Sequence, residues 1–165
     1  MDVIFTSLPN GESQKIANKL LKKNIMIDLS ADFRLTNAKI YNKYYGIKHI
    51  SLNNLKKSIY GLTEINKKNL SKGKIIACPG CYPTSILLPL FPLIKKNLID
   101  FKNIIIDSKS GFSGAGRGVH KKFKNKNLYG STSADGIGSH RHNAEIQQEL
   151  SYIKKSIEFT FTPHI

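Results

Sequence analysis

Cys78 and Cys81 are the two cysteines of the chain, and they stand together in the stretch IIACPGCYPTSILLPLF, residues 75–91. Three chemistries are open to that spacing. Zinc would accept both thiols together with His140 and His142. The single residue between those histidines, however, is shorter than the roughly three to five of a zinc finger. A redox pair of the thioredoxin kind needs its first cysteine at a helix start and its second inside the helix. Here the order is reversed, with Cys78 in a strand-like run and Cys81 where an apolar run begins. The nucleophile reading fits better. Pro79 and Gly80 turn the chain, and Cys81 lands at an expected helix amino terminus, where unpaired N–H groups and the dipole favour thiolate. Cys78 reads as a buried, inert thiol, and no metal-ligand set is assigned.

A thiolate nucleophile needs a proton-transfer partner. The segment SHRHNAEI offers His140 and His142, with Glu145 five residues after the first. Such a carboxylate can orient an imidazole and hold its tautomer. Periodicity alone does not choose between the two histidines. The loop SKSGFSGAGRG adds Ser110, Ser113, Gly114, Gly116 and Arg117, a set of hydroxyls, backbone N–H groups and a guanidinium that suits a phosphate or an oxyanion. Only three arginines occur among the 26 basic residues, Arg34, Arg117 and Arg141, and none lies in a lysine-rich connection. Where lysine is the default cation, an arginine marks a place where a planar fork is useful.

These residues need a scaffold, and the hydrophobic pattern supplies one. The run DVIFTSLP reads as a strand, residues 12–23 as a helix with lysines at its end, and NIMIDLS and KIIACPG as further strands around an irregular middle section. Continuous apolar runs of this kind predict a parallel sheet buried on both faces. The helix opening at Cys81 meets Pro89 and Pro92, each of which should kink or end it. NIIIDSKSG is another strand, and residues 144–153 form a helix with Ile146, Leu150 and Ile153 on one face. The alternation of Ile157, Phe159 and Phe161 with polar residues predicts a half-exposed antiparallel final strand.

At 165 residues the chain has room for one domain and part of a second. A net charge of +15 raises the question of a polyanion partner. The excess is mostly dispersed lysine alongside abundant asparagine and isoleucine, which argues for a solvated surface and against nucleic acid. Two cysteines are too few for a disulfide framework. No apolar run reaches the roughly 18 residues of a membrane span, so a cytoplasmic protein is expected.

The motifs ACPGCYPTS, DSKSGFSGAGRG, GSHRHNAEI, DLSADFRL, YGLTEI and FTPHI together resemble N-acetyl-gamma-glutamyl-phosphate reductase, in that family's order and over nearly the whole chain. The resemblance implies an α/β fold: an incomplete Rossmann-type parallel sheet over residues 1–80, then part of an α+β catalytic and dimerisation domain over 81–165, semialdehyde dehydrogenase-like. It implies NADP as cofactor, an acyl phosphate as small-molecule substrate and a semialdehyde product. On this template Cys81 forms the thioester, His140 is the acid/base and Glu145 holds it. Arg34, Ser110, Ser113 and Arg117 would bind substrate or phosphate, and Gly114 and Gly116 would face the cofactor. Departures from the family pattern are Cys78 in place of an asparagine, Asp135 in place of a tyrosine, and Ser85 and Pro89 where smaller residues are preferred. The family also carries a glycine-rich βαβ unit upstream and a segment downstream of these motifs, so a homo-oligomer or a complementing fragment is the expected partner. An aspartate-semialdehyde dehydrogenase-like enzyme and a non-catalytic basic remnant are the alternatives.

Overall fold

Short runs of β-branched and apolar residues become strands here, and in the amino-terminal half all of them run parallel. The computed structural model describes residues 2–111, 113–114 and 131–165, which divide into two units, residues 1–80 and 81–165. In the first unit β1 (Val3–Thr6), β2 (Ile25–Asp28), β3 (Ile59–Tyr60) and β4 (Ile75–Ala77) form one sheet of order β1-β2-β4-β3. Every neighbouring pair is parallel, with Thr6 opposite Asp28 and Asp28 opposite Ala77. Parallel strands need crossover connections. These are α1 (Ser13–Leu20), then α2 (Ala38–Tyr45) and α3 (Leu52–Lys57), and finally α4 (Thr63–Leu70).

The middle section expected to be irregular is therefore mostly helical. Its signals were local caps. Asn37 accepts hydrogen bonds from the backbone N–H groups of Lys39 and Ile40, at 2.9 and 3.3 Å, and Gly46 ends α2 in the left-handed region at φ 66°. Ala17, Met26, Phe33, Leu55, Ile75 and Ala77 form the core of this unit, each at most 2 % exposed. Burying a side chain the size of Met26 contributes about 1.5–3 kcal/mol. The expectation of burial on both faces fails at the edge strand, where Val3 and Phe5 are exposed. The alternation on β1 puts only Ile4 and Thr6 inward.

In the second unit α5 (Cys81–Lys95) begins at the cysteine and runs unbroken through Pro89 and Pro92. The expected stop is overturned. Each interior proline costs about 3 kcal/mol in lost hydrogen bonding and steric clash. Burial of Tyr82, Ile86, Leu87 and Ile94 along the same helix offsets that cost. Strand β5 (Ile104–Lys109) and strand β6 (Phe159–His164) pair in parallel, from Ile104 opposite Phe159 to Lys109 opposite His164. The antiparallel expectation for the last strand is thus corrected. Helix α6 (His142–Ile153) lies between the two strands in the chain and packs on α5, so β6 returns in the direction of β5. Among the described residues antiparallel pairing is confined to one bridge, Ala134 with His164. It is flanked by Ser133 N–H to Ile165 O and Asp135 N–H to Pro163 O, both 2.9 Å.

Candidate active site

The chemistry-bearing motifs of the second unit converge on one backbone carbonyl. Tyr82, the residue after Cys81, donates its hydroxyl to His164 O at 2.7 Å. Ser110 N–H donates to the same oxygen at 2.9 Å. The start of α5, the end of β5 and the end of β6 are thereby tied together. Cys81 itself is exposed at the helix start and carries a free thiol.

His140 enters the site through ring packing. Its ring lies edge-on to Tyr82 with centroids 5.4 Å apart, and edge-on to Phe161 at 5.7 Å. The His142 ring stands 4.8 Å from it. His142 N–H donates to His140 Nδ1 at 3.2 Å, which leaves the proton of the neutral imidazole on Nε2. The structure therefore brings His140 beside Tyr82, one residue from Cys81. His142 is buried on α6, with Glu145 fully buried one turn on and Glu149 a further turn on.

Glu149 was not singled out from the sequence, although it is four residues after Glu145 on the same helix. Gln148 Nε2 donates to its Oε1 at 2.8 Å. Burial pushes its carboxyl up to about 7, and the charge of Glu145 adds to that, while the Gln148 hydrogen bond opposes it. On the sheet side His164 Nδ1 stands 2.8 Å from Asp107 Oδ1, and Lys109 Nζ stands 3.1 Å from the same oxygen. The Lys109 hydrogen bond holds the Asp107 carboxyl below its ordinary range, with His164 contributing. Tyr82 and His164 were also missed as site residues. Position next to the cysteine was the only available signal for the first.

The loop after β5 is described only in part. Ser113 is exposed, and Gly114 N–H closes a turn onto Gly111 O at 2.8 Å. A Cβ at Gly114 would run into Ser110 Oγ, whereas one at Gly111 would meet nothing within 4 Å. Gly116 and Arg117 lie outside the described residues.

Arg34 belongs to the first unit. Its Nε donates to Cys78 O at 2.7 Å and its Nη2 to Leu29 O at 2.9 Å. Cys78 is half-buried and free, and burial pushes its thiol up, with Arg34 opposing. Around that loop lie two fully buried carboxylates that were quoted in the sequence only as part of a motif. Asp28 accepts from Thr6 Oγ1, Ser13 Oγ and Ser30 Oγ at 2.7, 2.9 and 2.7 Å, and from Ser30 N–H at 3.2 Å. Asp32 accepts from Gly11 N–H, Gln14 N–H and Tyr41 Oη at 2.7, 3.1 and 2.6 Å. Burial and the Asp32 bond raise the Tyr41 hydroxyl above its ordinary range. His49 sits between Asp32 O at 2.8 Å and the Ser51 N–H, and burial lowers its pKa. Among the described residues no three His, Cys, Asp or Glu side chains cluster to hold a metal ion, and no helix is long and apolar enough to cross a membrane.

Comparison with known proteins places the chain in a family. Residues 1–73 match the semialdehyde dehydrogenase NAD-binding domain and residues 81–165 match the semialdehyde dehydrogenase dimerisation domain. An N-acetyl-gamma-glutamyl-phosphate reductase of Alkaliphilus metalliredigens is 45% identical over 100% of this chain and 48% of its own length. A probable chloroplastic N-acetyl-gamma-glutamyl-phosphate reductase of Arabidopsis thaliana is 48% identical, covering 100% of this chain and 41% of its own. The Campylobacter jejuni subsp. doylei N-acetyl-gamma-glutamyl-phosphate reductase is 45% identical over 100% of this chain and 49% of its own. The chain spans about half the length of the curated relatives it matches. The likeness read from the motifs thus extends along the whole sequence, and with its second unit matched from end to end the chain belongs to the semialdehyde dehydrogenase family.

Proposed function

We propose that this chain carries the catalytic centre of a cytoplasmic N-acetyl-gamma-glutamyl-phosphate reductase, with Cys81 as nucleophile and His140 as its acid/base. The observation that carries the reading is the placement of the His140 ring against Tyr82, next to an exposed cysteine at a helix start. The curated relatives support the substrate, N-acetyl-gamma-glutamyl phosphate, and the dimerisation-domain match supports association with a second copy.

The first step follows from Cys81. Its thiolate attacks the acyl carbon, the carbon–oxygen bond to phosphate breaks, and inorganic phosphate leaves with the electron pair. The thioester remains on Cys81. NADPH is the cofactor that the resemblance implies, and the NAD-binding-domain match over residues 1–73 supports a nicotinamide dinucleotide. When bound, it would supply the hydride for reduction. His140 holds a proton at Nε2, because Nδ1 is occupied by the His142 N–H. That proton is placed to stabilise the oxygen of the reduced thiohemiacetal before the carbon–sulfur bond breaks and the Cys81 thiolate is regenerated. Glu145, buried on the helix that opens at His142, is proposed to hold His140. Ser110, Ser113 and Arg117 are proposed to contact the phosphate, and Gly114 and Gly116 the cofactor.

The test is acyl transfer to the chain itself. Incubation with the acyl phosphate and no reductant should leave one acyl group on Cys81, located by mass spectrometry, and Cys81→Ser should abolish it. Acylation that persists in Cys81→Ser, or that maps to Cys78, overturns the nucleophile assignment. Phosphate-dependent reduction of NADP by the semialdehyde, compared with NAD, tests the cofactor.

A further inference from the structure

Arg34 was expected to face substrate, and two nitrogens of its guanidinium bind the protein's own backbone. Nε binds the carbonyl of Cys78, the residue after β4, and Nη2 binds the carbonyl of Leu29, the residue after β2. These strands are neighbours in the sheet, and Cys78 N–H to Asp28 O, 2.8 Å, is the last bond between them. The fork therefore joins two strands at the point where sheet hydrogen bonding stops. Both backbone groups of Cys78 are engaged, and the residue that follows is Pro79, which has no N–H and a fixed φ.

The arginine is delivered by a loop that has little freedom. Asp32, Phe33 and Leu35 around it are at most 1 % exposed, and Asp32 is held by three hydrogen bonds. Ser58 Oγ donates to Phe33 O at 2.9 Å. Little side-chain entropy is lost in forming the fork, because the stem starts from a preset position. A lysine cannot reproduce it, since one ammonium is a point charge without the planar spread between two carbonyls.

We infer that Arg34 is a positioning residue, a backbone staple that sets the Cys78-Pro79-Gly80 turn from which Cys81 emerges, in place of a substrate ligand. The functional consequence rests on the reading of Cys81 as the nucleophile. Only Pro79 and Gly80 stand between Cys78 and Cys81, a reach of at most about 11 Å. A shift of the turn is thus passed to the helix start by covalent geometry. Displacements near 1 Å can cost about a hundredfold in rate.

The experiment uses the full 165-residue chain without substrate, so that a substrate contact has no influence. Arg34→Ala and Arg34→Lys are compared with the parent in two measurements. Amide hydrogen exchange across residues 74–81 should quicken roughly tenfold or more in both variants, the loss expected for a charge-assisted hydrogen bond. Exchange in β1 and α1 should remain as in the parent. Iodoacetamide labelling of Cys81 should slow about tenfold, and millimolar ethylguanidinium should restore it in Arg34→Ala while ethylammonium does not. Parent-like exchange and labelling in Arg34→Lys would overturn the staple and return Arg34 to substrate binding. If Arg34→Ala fails to fold, Arg34→Lys alone decides the matter. An unreactive Cys81 in the parent would defeat the nucleophile reading, and the exchange measurement would still judge Arg34.

Discussion

Each unit buries two carboxylates, and the two pairs are treated very differently. In the first unit Asp28 collects four hydrogen bonds and Asp32 three, from hydroxyls and backbone N–H groups of β1, α1, α2 and the loops between them. In the second unit Glu145 and Glu149 lie one turn apart on α6, and Glu149 is pushed up to about 7 with its neighbour's charge adding to the effect of burial. A buried carboxylate surrounded by donors acts as a rivet, because its charge is solvated by fixed dipoles. A buried carboxylate that faces a second one on the same helix is instead pushed toward neutrality, as Glu149 is. The first unit is therefore built to stay put, and the second holds a group, Glu149, poised to titrate on the helix that opens at His142.

The largest test of that contrast removes a rivet. Asp28→Ala leaves three hydroxyls and one N–H facing a void and should cost the first unit about 4 kcal/mol, read by urea unfolding. A loss below about 1 kcal/mol would mean that the network is incidental. Next, Glu149→Gln should act with the opposite sign. A carboxyl whose pKa rises on folding, from 4.5 to about 7, favours the fold fully below pH 4.5 and loses that advantage as pH climbs through 7. At pH 8 the amide should stabilise the second unit by roughly 2–3 kcal/mol and flatten its pH dependence between those limits. An unchanged slope would show that Glu149 does not titrate there.

The smallest effect concerns His49. Its folded pKa is lowered, so it supports the first unit fully above the unfolded value near 6.5 and withdraws that support as pH falls. The two units should then answer acidification in opposite directions between pH 7 and 5, the first loosening while the second tightens. Hydrogen exchange in β2 and α6 separates the two responses. Parallel responses would break the comparison.

Much of the scaffold was legible because its causes are local. The strand runs, the Pro79–Gly80 turn and the helix opening at Cys81 follow from hydrophobic pattern and turn chemistry. The caps at Asn37 and Gly46 were equally local, although the segment between them was expected to be irregular. Misreadings arose where a local rule met a non-local force. Pro89 and Pro92 break helices by propensity, but burial along α5 outweighs it. Period-two alternation in residues 157–162 located a strand without specifying its direction, which the preceding helix decides.

The sequence by itself determined the family, the nucleophile candidate at a helix start and the histidine segment meant to serve it. These depend on residue type and spacing along the chain. Only the tertiary structure decided that Arg34 meets two carbonyls of its own unit, that Asp28 and Asp32 are rivets, and that Glu149 shares a buried face with Glu145. Hydrogen-bond partners and desolvation are set by residues distant in sequence, such as Arg34 and Cys78, 44 positions apart. A polar side chain therefore acquires its role only when the fold chooses what surrounds it.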